Sequence, residues 1–329
     1  MMCLFYKLIC YNVKNEVGTI MLQNITKTCS NVMNNSKYVK INYNNLNKFI
    51  GNVDSNNLKN WLLFNPYKIL NLNIEDLINF IFVFESIDYS FWGNPKWTVE
   101  TDSGLKDGSD ALLYLMLKYA NESKDCSFDQ ITYEQFSKLF RGNIEIPLLR
   151  ERYETIVNNR TIVNSINKNG FYKAIYSIKT DIELFDFITI NFSSFKDERI
   201  YNGYHVYFYK LAQLLTSDIL HIREEIEGIE VDYSNLIGCA DYKIPQTLRA
   251  LNIIEYNDEL SNIIDSKQEI SISSKYEVEI RASQIVVLDY IKSKLKSVSS
   301  MDVNDFLFLY SKKVKDIVKP YHLCRNKNY

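Results

Sequence analysis

Apolar positions along this chain recur mainly at helical spacing, and helix start and stop signals fall where that spacing begins and ends. Residues 73–87, NIEDLINFIFVFESI, are apolar on more than one face, which predicts a central, buried helix. The spacing predicts a second helix over 108–123, capped by Ser109. In TYEQFSKLFRG (132–142), Thr132 and Gln135 form a capping box, and Gly142 stands past the end. Pro147 then fits the first turn of the next helix. Residues 205–228 are apolar early and charged late, the pattern of one core helix emerging into solvent. Ser274 and Glu277 repeat the capping box ahead of 274–295. Val278, Ile285, Leu288, Ile291 and Leu295 make a core stripe there, and a last helix is expected over 302–318.

Strand alternation is sparse. KWTVETDSGLKDGSD (96–110) fits a small hairpin, and no βα alternation, repeat, low-complexity tract or linker appears. The pattern therefore predicts a mostly α fold: a single helical domain over 21–329 with at most a small β-hairpin. Residues 1–20 read as a dispensable N-terminal extension, with Met21 as an alternative start.

Composition narrows the class. With 46% hydrophobic and 24% charged residues, the chain is of soluble globular type. Only ten glycines and five prolines interrupt it, which favours long helices with short links. A net charge of −2 gives no global field for nucleic acid or an anionic membrane. The apolar start is broken by Lys7, Asn12 and Lys14 and is too short to span a bilayer. Six cysteines without a Cys-x-x-Cys pair argue against a zinc site or a disulfide scaffold, and for reduced thiols in a cytoplasm. Phosphate-loop, dinucleotide, zincin and serine-hydrolase motifs are absent, and His205, His221 and His322 are too far apart to suggest a metal cluster. No metal or cofactor is expected. Carboxylate chemistry with aromatic and basic assistance remains.

Four stretches could carry it. FESIDYSFWGNPKW (84–97) gathers Tyr89, Phe91, Trp92 and Trp97 around Glu85 and Asp88. Aromatic faces stack on a planar heterocycle and a carboxylate pairs with its N–H edge, although such clusters also serve packing alone. Lys210, in an apolar helix, either snorkels or pairs with a buried anion such as Asp197 or Asp218. In the tail, Tyr321, His322, Arg325 and Tyr329 form either a phosphate site or a frayed end. In LIGCADYKIP, Asp241 stands among small and apolar residues ahead of a helix expected to start at Pro245. It either caps that helix or faces a ribose, stabilising the cation that forms when an N-glycosidic bond breaks. Spacing leaves both readings open.

Taken in order, SIDYSFW (86–92), LFRGNIEIPLLRER (139–152), FSSFKDERIYNGYHVYFYKLAQLL (192–215), ADYKIPQTLRALNIIEY (240–256), YEVEIRA (276–282) and PYHLCR (320–325) resemble the queuosine salvage protein family. The resemblance implies a mostly helical fold similar to the helical DNA glycosylases. It implies hydrolysis of the N-glycosidic bond of queuosine 5′-phosphate, a small-molecule substrate, releasing queuine for tRNA modification without metal or nucleotide cofactor. Asp241 would be the catalytic carboxylate. Asp88, Phe91, Trp92, Lys210, Tyr242, His322, Arg325 and Tyr329 would bind substrate, Asp88 facing the cationic amine of queuine. The chain departs from the family at Asp88, where Asn is common, at Ser109-Asp110, which replaces an aromatic pair, and at Leu323, which replaces a basic residue. The last keeps free queuosine open as a substrate. A non-catalytic nucleobase-binding module is the alternative of a different class. Action on DNA is disfavoured by the charge and by the lack of a Gly-rich hairpin for phosphates.

Overall fold

Helices carry most of the chain in the computed structural model, which describes residues 22–53, 58, 72–295, 298–314 and 318–329. The expected extension and alternative start lie outside the described residues. Helix α1 covers 22–34, followed by β1 (Val39–Ile41), α2 (Tyr43–Asn52), α3 (Ile74–Ser86), β2 (Thr98–Thr101), β3 (Gly104–Asp107) and α4 (Gly108–Ser123). Next come α5 (Tyr133–Leu139), α6 (Leu149–Ile166), α7 (Phe171–Ile175), α8 (Asp181–Asn191), β4 (Glu198–Tyr201) and β5 (Tyr204–Tyr207). The remainder is α9 (Lys210–Glu227), α10 (Lys243–Ala250), β6 (Ile254–Tyr256), α11 (Asp258–Asp265), α12 (Lys275–Lys294) and α13 (Ser300–Val314). The strands form antiparallel pairs β1–β6, β2–β3 and β4–β5. The fold is mostly α, as the apolar periodicity predicts, and β2–β3 is the expected hairpin, while β1–β6 and β4–β5 exceed the single hairpin expected.

Several local expectations change. Residues 205–228 are not one helix: they begin in β5, and α9 starts only at Lys210. Tyr209 sits in the left-handed region at φ 52°, and the Asp197 carbonyl accepts from the Phe208 and Tyr209 amides, which bends the chain before the helix starts. Ser109 is no cap, since α4 starts at Gly108 after Asp107 without a side-chain cap. Pro147 lies ahead of α6, which starts after Leu148 in a left-handed conformation. Ser274 accepts from the Glu277 amide, but Glu277 reaches back to the Ser273 amide, one residue before a capping box requires. The box of Thr132 and Gln135 forms in full.

Two apolar clusters meet along α12. Val278, Ala282 and Ile285 belong to the first, with Phe80, Phe84, Phe185 and Leu215 of α3, α8 and α9. Ile280, Val287, Leu288 and Ile291 belong to the second, with Leu46, Ile244, Leu248 and Leu307. A helix buried on both sides needs apolar residues around its circumference, which α12 has. Helix α3 is likewise buried at every position from Leu77 to Ser86.

A buried charge lattice ties β4 and the residues before it to α12. Arg281 donates to Asp197 at 3.0 and 2.5 Å and to Glu277 at 3.2 Å. Arg199 lies 3.1 Å from both Asp197 and Glu277. The Arg281 guanidinium is 4.0 Å from the centre of the Phe208 ring and 4.2 Å from that of Tyr329. Burial pushes the Asp197 carboxyl up, but Arg281 and then Arg199 overcome this and hold it below the usual carboxylate range. Removing one partner of such a lattice leaves buried charge without compensation. Arg281→Met is therefore expected to cost on the order of 3–5 kcal/mol, read as a lower urea midpoint. Arg150→Met, which breaks an exposed pair with Glu154, should change stability by less than about 1 kcal/mol. Equal effects of the two would remove the lattice from this account.

Candidate active site

Residues 236–241 run through the interior without regular secondary structure, although Leu236, Cys239 and Ala240 are buried. Buried backbone groups need partners, and here side chains replace a neighbouring strand. Gln213 Oε1 accepts from the Ile237 and Gly238 amides at 2.7 and 3.1 Å, while its Nε2 donates to the Gly238 carbonyl at 2.9 Å. Asn304 Oδ1 accepts from the Cys239 amide at 2.9 Å. Gln284 donates to the Cys239 carbonyl at 2.5 Å and accepts from the Asp241 amide at 3.2 Å. Arg281 Nε donates to the Ala240 carbonyl at 3.0 Å. Gly238, at φ 132°, packs where a Cβ would collide with Leu288.

This clamp delivers Asp241 to the start of α10, which begins at Lys243 and not at Pro245. Asp241 Oδ1 accepts from the Lys243 and Ile244 amides at 3.0 and 2.9 Å. The capping role is thus filled by one oxygen, and Oδ2 takes no part in those bonds. Asp241 lines a cavity of about 440 Å³. Burial raises its pKa; the Ile244 amide, Lys210 and the Lys243 amide pull against that rise.

The opposite wall comes from the end of α3 and the loop after it, with Glu85, Asp88, Tyr89 and Phe91. Lys210 Nζ donates to Asp88 Oδ2 at 3.1 Å and to the Asp88 carbonyl at 3.2 Å, so its partner is Asp88 and not Asp197 or Asp218. Desolvation works against the Lys210 ammonium, but neighbouring carboxylates, Asp88 first, keep its pKa above the usual lysine value. Glu85 is fully buried, and burial, then Asp218, then Asp88 push its carboxyl well above the usual range. Arg152 of α6 holds the loop: it donates to the Ile87 and Tyr89 carbonyls and lies 4.4 and 4.8 Å from the Tyr89 and Phe91 ring centres. Burial lowers the Arg152 pKa to about 10.

The tail is not frayed. The Tyr329 carbonyl accepts from the Ser90 amide at 2.9 Å, and Ser90 Oγ donates to the Asn326 carbonyl at 2.7 Å. Tyr329 thereby becomes part of the cavity wall. Of the residues singled out in the sequence, Asp241, Asp88, Phe91, Lys210, Tyr242 and Tyr329 line this one cavity. Trp92, His322 and Arg325 do not. Trp92 is buried under Arg325, whose guanidinium is 4.3 Å from its ring centre and which lies 3.7 Å from Glu269. His322 is buried beside Tyr329, and burial followed by Arg281 lowers its pKa to about 3.

Glu85, offered with Asp88 as a carboxylate of the aromatic knot, lines the cavity as well. Sequence reasoning missed several other lining residues. Asn304, Asp305, Phe308, Ser311 and Lys312 all come from one face of α13. Polar residues recurring at helical spacing among its apolar positions were the available signal. At the rim, Lys96 pairs with Asp107 at 2.8 Å, Lys312 pairs with Asp110 at 2.9 Å, and Lys243 Nζ is 4.6 Å from the Tyr321 ring centre. Among the described residues no cluster of His, Cys, Asp and Glu is arranged to hold a metal ion, and no helix is long and apolar enough to cross a membrane.

The family profile described as queuosine salvage protein matches residues 69–329. A Sphaerobacter thermophilus protein named queuosine 5′-phosphate N-glycosylase/hydrolase is 32% identical over 262 residues, covering 76% of this chain and 81% of that protein. A Mus musculus protein of the same name is 26% identical over 253 residues, 72% of this chain and 75% of its own. A Dictyostelium discoideum protein of that name is 27% identical over 253 residues, 74% and 75% of the two chains. The chain belongs to the queuosine salvage protein family.

Proposed function

We propose that this chain is an N-glycosyl hydrolase that cleaves queuosine 5′-phosphate, releasing queuine for reuse in tRNA modification. The observation that carries this reading is Asp241: one oxygen is fixed by two amides, and the residue lines a cavity walled in part by Tyr89, Phe91 and Tyr242. As the bond from ribose to base lengthens, positive charge builds on the sugar, and a fixed carboxylate stabilises it. The same group takes a proton from the attacking water, for which a raised pKa suits it. Queuine is a 7-deazaguanine and has no N7 to protonate, so stabilising the sugar carries more of the barrier. Phe91 and Tyr89 offer faces to the base, and Lys210, neutralised by Asp88, offers donors without excess charge.

The substrate phosphate belongs at the rim. The floor is rich in carboxyl groups, whereas Lys96, Lys243 and Lys312 stand at the mouth. The ion pairs of Lys96 and Lys312 are exposed and therefore weak, so a phosphate can exchange for Asp107 or Asp110. This assignment replaces the tail residues His322 and Arg325, which do not line the cavity. The free, buried cysteines Cys29, Cys126, Cys239 and Cys324 fit a reducing cytoplasm, and a cavity of about 440 Å³ fits a free nucleotide better than a nucleic acid.

Incubation of the purified protein with queuosine 5′-phosphate should release queuine, read by mass. Asp241→Asn should keep the melting temperature within a few degrees and lose about a hundredfold or more in kcat; near-native turnover would end the assignment. Because Asp241 must be ionised and its pKa lies above 3.8, kcat should climb with pH through that raised value. The acid limb should be absent from the residual activity of the Asn variant. Lys312→Ala should lower kcat/KM for the nucleotide about tenfold, the loss of one charge-assisted bond, and leave the free nucleoside unchanged. Equal loss on both substrates would move the phosphate elsewhere.

A further inference from the structure

A second cavity of about 250 Å³ opens on the face of α3 away from Glu85. It lies between α3, α6 and the start of α7, and no residue lines both cavities. One side is apolar: Phe82 and Phe171 stack there with ring centres 3.9 Å apart. The polar groups are mostly donors. Asn79 Oδ1 accepts from the Tyr172 amide at 2.9 Å, which fixes the carboxamide and turns Nδ2 the other way. Gly170, at φ 96°, leaves that amide room, since a Cβ there would lie 3.3 Å from Nδ2.

Asn159 of α6 makes the stronger case. It is 3% exposed, lines the cavity, and its Oδ1 accepts from the Ser194 hydroxyl at 2.9 Å. Its Nδ2 is buried and has no partner. A buried donor without an acceptor is costly, so an acceptor from outside the protein is called for. The mouth adds Arg160, whose guanidinium also meets the Asp129 carbonyl, and the exposed Lys168. Against these stands one carboxylate, Asp129. A water molecule could satisfy Asn159 alone. Two cations above two carboxamide donors match a group with several acceptor oxygens and negative charge.

We propose that this cavity is a second binding site, taking a small molecule with an oxyanion group. The oxygens would accept from Asn79, Asn159, Arg160 and Lys168, and the remainder would pack on Phe82 and Phe171. The inference does not depend on the reaction proposed for the first cavity.

Calorimetric titration with inorganic phosphate and, separately, with succinate tests it and tells the phosphate class from the carboxylate class. The Lys312→Ala variant serves as host, which weakens binding at the rim of the first cavity relative to the second. One saturable site is expected for one of the two probes. Asn159→Asp, which puts a carboxylate where the free donor stands, should weaken it at least tenfold. Should Asn159→Asp fail to fold, the double variant Arg160→Ala/Lys168→Ala changes only side chains at the mouth and should give the same loss. No saturable binding of either probe, or unchanged affinity in the folded variants, would mean that the cavity holds water only and would overturn the proposal.

Discussion

The structure depends on satisfying the backbone of residues 236–241. The segment is buried, has no strand beside it, and carries the acid of the site at its end. Gln213 comes from α9, Arg281 and Gln284 from α12, and Asn304 from α13, and each makes at least one hydrogen bond with that backbone. Three helices are therefore positioned by the same few residues, and none can shift without leaving an amide or carbonyl unpaired. Packing follows from this. The two apolar clusters meet on α12, the helix that supplies two of the four clamping side chains.

The same convergence sorts charge by depth. Glu85, Asp88 and Asp241 crowd around the single ammonium of Lys210, and a poorly solvated pocket cannot hold all three carboxyl groups ionised. The structure resolves this by keeping Asp88 paired with Lys210 and by pushing the Glu85 carboxyl toward its neutral form beside Asp218. At the rim, water screens the charges and the pairs are exchangeable. Depth alone makes the inner ion pair a fixed part of the wall and the outer ones replaceable by a ligand.

Much of this was legible in the sequence, and the gaps have physical reasons. The burial of α3 followed from apolar residues on several faces, and the start of α5 from Thr132 and Gln135. Asp241 announced itself as an isolated acid among small and apolar residues. The strand β5 stayed hidden because HVYFY continues into an apolar helix, and only a left-handed residue at Tyr209 separates them. Trp92, His322 and Arg325 sit in stretches that resemble the family, yet position along the chain does not say which side of a loop faces the cavity. Here Arg325 covers Trp92, and His322 packs beside Tyr329. The rim lysines Lys96 and Lys243 gave no pattern, because a charge at the end of a helix or hairpin looks the same whether or not a cavity opens beside it.

Asp241 also shows why a capping reading and a catalytic reading need not compete. A carboxylate moved into a cavity loses hydration and drifts toward its neutral form, which would disable it as a stabiliser of positive charge. The amides of Lys243 and Ile244 oppose that drift through Oδ1, aided by the favourable end of the α10 dipole and by Lys210 across the cavity. The helix start thus returns part of the ionisation that burial removes, and it does so through one oxygen only. An acid held entirely in water would be ionised but screened, and one buried without the two amides would be dry but neutral. Placing it one residue before the N-cap, Tyr242, of α10 gives a half-buried carboxylate whose charged form two amides support, the arrangement that the proposed stabilisation of positive charge would use.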